Sequence, residues 1–206
     1  MPELGLFPLP IVLVPTERIP LHIFEPRYRE LIEECVENET DFGFVLATGD
    51  GAVHEIGTRA SVLEVLEVLD DGRMNVVVEG VERFRLLELT SGRTFTTGLV
   101  EPVLDDDDPP ADADVERALE IFRDLAETSE SDVDIPEPEV VQLDFELAGR
   151  VDFEVDAKQE LLAMTSPKLR MQRLAVLLES ALDAVRHEQK MRERASRNGK
   201  VVPVDP

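Results

Sequence analysis

Three histidines, His22, His54 and His187, and a single cysteine, Cys35, are the side chains of this 206-residue chain best suited to metal binding or nucleophilic attack. None has a second histidine or cysteine at ligand spacing, whereas a zinc site needs about four such ligands, so no metal site and no cofactor is implied. Cys35 recurs at helical spacing with Tyr28, Leu31, Ile32 and Val36. On that apolar face it reads as a small buried hydrophobe, because a reactive thiol needs exposed, electropositive surroundings. A lone cysteine also excludes an intramolecular disulfide. The run Asp105-Asp106-Asp107-Asp108 has the composition of a calcium site but not its spacing, since an EF-hand loop sets oxygen ligands around a central glycine and ends on glutamate. No G-x-S-x-G elbow or G-x-x-x-x-G-K-[ST] phosphate loop occurs. Its nearest approach, Asn198-Gly199-Lys200-Val201, has no Ser or Thr and no strand before it. With this many carboxylates, two lying close together would carry no acid–base meaning. The sequence therefore offers no catalytic residue and no enzyme class.

Two charged groups invite a recognition role. Glu25, Arg27 and Arg29 surround a helix start, with Arg83 further on; a short apolar motif with embedded charges favours packing over recognition. Arg186, Lys190, Arg192, Arg194, Arg197 and Lys200 invert the sign of an acidic chain locally, as cations at a helix C-terminus do, or as a site for an acidic partner would. Overall, 45 acidic against 21 basic residues leave a net charge of -24, which repels polyanions and argues against nucleic acid. The first residues do not read as a basic region, a clean apolar run and a small-residue cleavage site, and no run of about 18 apolar residues occurs in the sequence. The expectation is a cytoplasmic protein without a membrane partner.

The elements that position these residues begin with Phe7 to Tyr28, which sets Pro8, Pro10, Pro15, Pro20 and Pro26 among apolar side chains. Proline fixes φ and drives its predecessor extended, so the segment should be extended and bent several times. Pro26 suits the first turn of a helix, with Phe24 or Glu25 at the cap. Strand patterns follow at Phe42–Ala47, Ser61–Leu69, Met74–Val78, Phe84–Leu89 and Thr94–Leu104, with turns at Thr48-Gly49-Asp50-Gly51, Asp70-Asp71-Gly72 and Ser91-Gly92. In Ser61–Leu69 the apolar residues do not alternate, and the composition would serve a helix as well; the Asp70-Asp71-Gly72 turn favours a strand. Gly80 marks a bulge or tight bend where a side chain would clash.

Residues 105–114, four aspartates followed by prolines and more acid, read as an exposed linker. Beyond it the period is helical: Val115, Leu119, Phe122, Leu125 and Ala126 share a face. Further helices are expected over Glu139–Gly149, over Ala157–Met164 with Asp156 as N-cap, and from Ser166-Pro167 to about Ala195. The expected fold class is α+β: an N-terminal strongly bent β-sheet or partly open barrel with one helix, followed by a C-terminal α-helical bundle. The expected division is 1–104 β-rich, 105–114 linker, 115–197 helical and 198–206 a flexible tail.

Residues 7–31, FPLPIVLVPTERIPLHIFEPRYREL, resemble the opening of the Lon-protease N-terminal substrate-binding domain. Ile56-Gly57-Thr58, the segment DGRMNVVVEGVERFRLLEL (Asp71–Leu89), and KQELLAM from Lys158 with the later Gln172-Arg173-Leu174 are similar to the same family in the same order. The resemblance covers roughly residues 5 to 190. It implies a non-catalytic domain that binds polypeptide segments or a protein partner, without the ATPase and peptidase modules of full Lon proteases. Val14, Ile19 and Leu21, on a loop that prolines hold rigid, are the candidate contacts, with a plain core role as the favoured alternative for each. The alternatives are a ligand site assembled from scattered residues and a purely structural subunit of a complex; oligomeric state is left open.

Overall fold

The computed structural model describes residues 2–49 and 51–198. Six strands and five helices follow in the order β1 (Glu3–Leu9), β2 (Arg18–Ile23), α1 (Pro26–Asn38), β3 (Phe42–Leu46), β4 (Ile56–Val68), β5 (Met74–Thr90), β6 (Thr97–Pro102), α2 (Asp112–Thr128), α3 (Leu143–Ala148), α4 (Val155–Ala163) and α5 (Pro167–Asn198). The sheet order is β2-β5-β4-β3-β1-β6, and β6 pairs again with β5. Five strands thus curl back on themselves, while β2 lies along the first half of β5 as an edge strand. β1 and β3 are parallel, which needs the long crossover supplied by β2 and α1. This is the expected α+β class.

The longest strand replaces a pair of shorter ones expected from sequence, and β4 begins five residues before the expected Ser61. Met74–Val78 and Phe84–Leu89 are one strand, β5, bent where Gly80 opposes Ala60 and Glu82 opposes Arg59, so that Val81 is an extra residue. In β4 the register slips between Val62 and Glu64 and again between Val65 and Glu67. Each slip adds one residue to a strand whose period is otherwise two, which converts Val-Leu-Glu repeats into a regular feature rather than a broken alternation. From Leu63 to Val68 every β4 side chain is exposed, because this half of the strand extends away from the closed part of the sheet.

Helix α1 starts on Pro26 and buries Tyr28, Leu31, Ile32 and Cys35 over the sheet. There they meet Phe7, Phe42, Phe44, Ile23 and Met74, with the Phe7 and Tyr28 ring centroids 4.2 Å apart. A second core gathers α2, α3, α4 and α5 around Phe122, Phe145, Leu161, Leu174 and Leu178, and it takes in Val12, Val14, Leu46 and Ile56 from the β-rich part. The helices therefore pack onto the sheet through the Pro-rich loop.

Three helix boundaries differ from expectation. The helix expected over Glu139–Gly149 forms only over Leu143–Ala148, since Gln142 sits at φ 58 and a left-handed residue cannot continue a helix. Helix α2 begins at Asp112, inside the expected linker. Glu154 rather than Asp156 occupies the N-cap position of α4. Helix α5 runs through Asn198, and 199–206, the rest of the expected tail, lie outside the described residues, as does Asp50.

Candidate functional site

The Pro-rich loop is held by its backbone. Thr16 N–H donates to the Gly80 carbonyl at 2.8 Å and Gly80 N–H to the Glu17 carbonyl at 2.9 Å. The loop crosses so close that a Cβ on Gly80 would lie 2.1 Å from the Val14 carbonyl oxygen. Thr58 Oγ1 donates to the Leu13 carbonyl at 2.5 Å, and Val14 N–H to Glu17 Oε2 at 3.0 Å. The other Glu17 oxygen accepts from Lys158 Nζ of α4 at 2.6 Å. Thr16 is held at φ 70 here by its own bond to Gly80 and by Glu17, whose N–H donates to the Val14 carbonyl and whose carbonyl accepts from Gly80.

This geometry corrects one candidate contact. Val14 is fully buried in the core shared with the helices. A rigid loop presents apolar side chains to a partner only if they face out, and the loop's hydrogen bonds turn Val14 inward. Ile19 and Leu21, the other two, lie on edge strand β2 and are half-buried. Pro20 stands between them, a residue tolerated in sheets chiefly on edge strands. Leu21 and Pro20 share a shallow depression with Leu66 of β4, whose polar rim is His22, Glu67 and Asn75. His22 Nδ1 lies 2.7 Å from Asn75 Oδ1, and Asn75 Nδ2 donates to Glu67. Just beyond β2, Phe24 is 61% exposed. Its ring lies 6.1 Å from that of His22, nearly parallel to it. Phe24 and Leu66 were missed as contacts. Phe24 gave a signal in lying next to a proline-started helix where the cap position faces water; Leu66 gave none until the β4 slips are known.

The expected linker is pinned at its start, a second correction. Asp105 accepts from Arg170 Nη1 and Nη2, both at 2.8 Å, and also from Arg83 of β5. Arg170 donates further to Asp144 at 2.6 Å and to the Met164 carbonyl at 2.7 Å, and its guanidinium lies 4.2 Å from the Phe145 ring centre. Arg83 also caps the Leu162 and Met164 carbonyls at the end of α4. Burial pushes the Asp105 carboxyl up, but hydrogen bonds and charge from Arg170 and Arg83 outweigh it and hold the carboxyl below its usual range. Downstream, Asp106 and Asp108 accept from Thr165 and Ser166. A run of like charges reads as solvated only while its counter-charges, 22 residues before it and 65 after it along the chain, are out of sight.

Several other charged residues singled out from the sequence have partners within the chain, while Lys200 and the Arg197 side chain lie outside the described residues. Arg27 pairs with Glu25 at 2.8 Å and lies over the Tyr28 ring, while Arg29 donates to the Asp71 carbonyl at 2.6 Å. Arg186 pairs with Asp124 and Arg192 with Glu188. Burial pushes the Cys35 thiol up to about 11, with a hydrogen bond to Thr40 opposing, so the thiol is protonated at neutral pH. Among the described residues no cluster of three His, Cys, Asp or Glu could hold a metal ion, and no helix is long and apolar enough to cross a membrane.

Comparison with known proteins sets this surface in context. Residues 3–180 match the family described as the ATP-dependent protease La (LON) substrate-binding domain. Lon protease of Rhizobium meliloti is 26% identical over 207 aligned residues, 91% of this chain and 25% of that protein. Lon protease of Escherichia coli K12 is 25% identical over 95% of this chain and 27% of its own length. The chain thus spans about a quarter of the curated relatives it matches. Among solved structures, a Lon N-terminal domain protein from Xanthomonas campestris is 26% identical with a TM-score of 0.67, covering 85% of this chain and 98% of that one. The N-terminal domain of a Mycobacterium avium complex Lon protease shares the fold with a TM-score of 0.68 at 16% identity, over 86% of this chain and 98% of its own.

Proposed function

The chain belongs to the ATP-dependent protease La (LON) substrate-binding domain family, and on that premise we propose that it is a non-catalytic module that binds polypeptide, in the setting of protein quality control. The observation that carries the reading is the apolar surface around β2: Phe24 and Leu66, exposed and outside the core clusters, beside Ile19 and Leu21, which are half-buried against the core under α1. Exposed apolar side chains gathered on one surface mark an interaction site. A sheet edge beside them offers an extended segment both backbone hydrogen bonds and apolar contact. The rigid Pro-rich loop beneath lowers the ordering cost of binding. In this reading residues 1–104 carry the contact, and the helical part, 115–197, supports it.

The test compares binding of a permanently unfolded, net-neutral polypeptide by the natural chain and by Phe24→Asp and Leu66→Asp. Both side chains are more than half exposed, so both variants should unfold cooperatively at nearly unchanged denaturant midpoints while losing at least about tenfold in affinity, the effect of removing about 1.4 kcal/mol. Unchanged affinity in both would remove this surface from the function. No binding by the natural chain, with tight co-purification of one folded protein, would favour the structural-subunit reading instead.

A further inference from the structure

The outer half of β4 has one edge that no strand covers. β3 pairs with β4 only through Phe42–Phe44 against Thr58–Ala60, and β5 occupies the other side from Ser61 to Val68. Among the described residues, nothing is paired to β4 beyond Ala60 on the β3 side. The chain leaves that position because α1 ends on Glu39 in the left-handed conformation, with φ 52 and ψ 46, and turns away through Thr40 and Asp41. A groove remains between the helix end and the strand edge, lined by Val36, Glu39 and Asp41 on one side and Leu63, Glu64 and Val65 on the other. Val36, Leu63 and Val65 are exposed hydrophobic side chains.

An exposed strand edge is a hazard that proteins usually blunt, and the groove beside this one is lined by apolar residues and three carboxylates, with Thr40 and Ser61 and no lysine or arginine among its lining residues. The chemistry discriminates among occupants. A second copy paired β4 to β4 would bring two sets of Glu64 and Glu67 together on chains of net charge -24, and like charges opposed across strands destabilise. A basic segment would find complementary charge at three positions. Burial pushes the Asp41 carboxyl up, with the charge of Arg59 opposing and that of Glu82 adding to the rise.

Building on the polypeptide-binding reading, we propose that this edge takes an extended polypeptide segment of alternating apolar and basic residues as an added strand. Its backbone pairs with β4 between Ser61 and Val68. Its apolar side chains lie on Val36, Leu63 and Val65, and its lysines or arginines meet Glu39, Asp41 and Glu64.

The experiment titrates the intact chain with a labelled ten-residue peptide of alternating valine and lysine, followed by anisotropy at physiological salt, with hydrogen exchange read over 61–68. Two further versions carry N-methyl groups on alternate residues, one version for each peptide edge. Strand addition predicts that one N-methylated version loses at least about tenfold in affinity while the other binds like the parent. Glu64→Lys, an exposed position, should weaken the parent peptide, and bound peptide should slow exchange at the 61–68 amides. Equal affinity of all three peptides, protection at Arg18–Ile23 instead, or a β4-mediated dimer that the peptide fails to displace would overturn the proposal. A chain that binds the net-neutral unfolded polypeptide but not this peptide refutes this edge alone; failure to bind either refutes the polypeptide-binding reading as well.

Discussion

Replacing Arg170 with leucine removes the most heavily bonded cation among the described residues and isolates two carboxylates at the junction of sheet and helices. Arg170 is 1% exposed and makes two hydrogen bonds to Asp105, one to Asp144 and one to the Met164 carbonyl, all between 2.6 and 2.8 Å. Without it, buried Asp144 keeps only the bond from the Phe145 N–H at 2.8 Å, and Asp105 keeps only Arg83. Breaking a buried pair by removing one partner costs about 3–5 kcal/mol, because the desolvated charge left behind is uncompensated. Leucine recovers some packing against Phe145 but satisfies no carboxylate. For a domain of this size each kcal/mol moves the midpoint by about 2–4 °C, so Tm should fall by about 6–20 °C. Replacing Asp144 with leucine as well should recover part of that loss, since an apolar substitute for both members of a pair is tolerated better than an orphaned charge. The pH dependence has a defined sign. In the natural chain the folded Asp105 carboxyl is held below its unfolded value. Its contribution is therefore present above the ordinary carboxylate range, about 3.9, and lost as pH falls through the lower folded value. Arg170→Leu should lose most of this acid sensitivity. Urea unfolding at several pH values measures both effects. A loss below about 1 kcal/mol with an unchanged pH profile would mean that Asp105 behaves as a solvated linker residue, and would refute the reasoning.

Three other perturbations have definite outcomes. Gly80→Ala places a Cβ 2.1 Å from the Val14 carbonyl oxygen; the loop must lift and lose the Thr16–Gly80 and Gly80–Glu17 bonds, costing about 2–4 kcal/mol by denaturant unfolding. Lys158→Met leaves Glu17, whose side chain is 9% exposed, with only the Val14 N–H, costing about 2–3 kcal/mol in the same assay. Cys35, with its thiol raised to about 11, should react with iodoacetamide at pH 7.5 at least about a hundredfold more slowly than in urea, where an ordinary thiol titrates near 8.5.

How much of this was legible in the sequence depended on whether the deciding interaction was local. Helix α1 could be read from Pro26 and the spacing of Tyr28, Leu31, Ile32 and Cys35, all fixed within 13 residues. The family resemblance and the α+β class likewise rested on short segments whose order survives in the fold. Asp105 could not be read, because its partners Arg83 and Arg170 approach only after the chain folds. Val14 stayed open between contact and core for a similar reason: prolines signal a rigid loop but not which way it faces, and that direction is set by Gly80 and Thr58. The non-alternating stretch of β4 was visible as an anomaly, yet the two slips that explain it appear only when β5 lies alongside. Gly80 was the exception among the long-range features, since a glycine inside a strand pattern already signals a close approach.

The most direct test of polypeptide binding is fluorescence anisotropy of a labelled, permanently unfolded, net-neutral polypeptide titrated with this protein at low and at physiological salt. Neutrality of the probe matters because a chain of net charge -24 would otherwise attract or repel it through unscreened charge at low salt. Saturable binding whose affinity survives physiological salt and drops in Phe24→Asp is the predicted result. A flat titration at both salt concentrations would contradict the account.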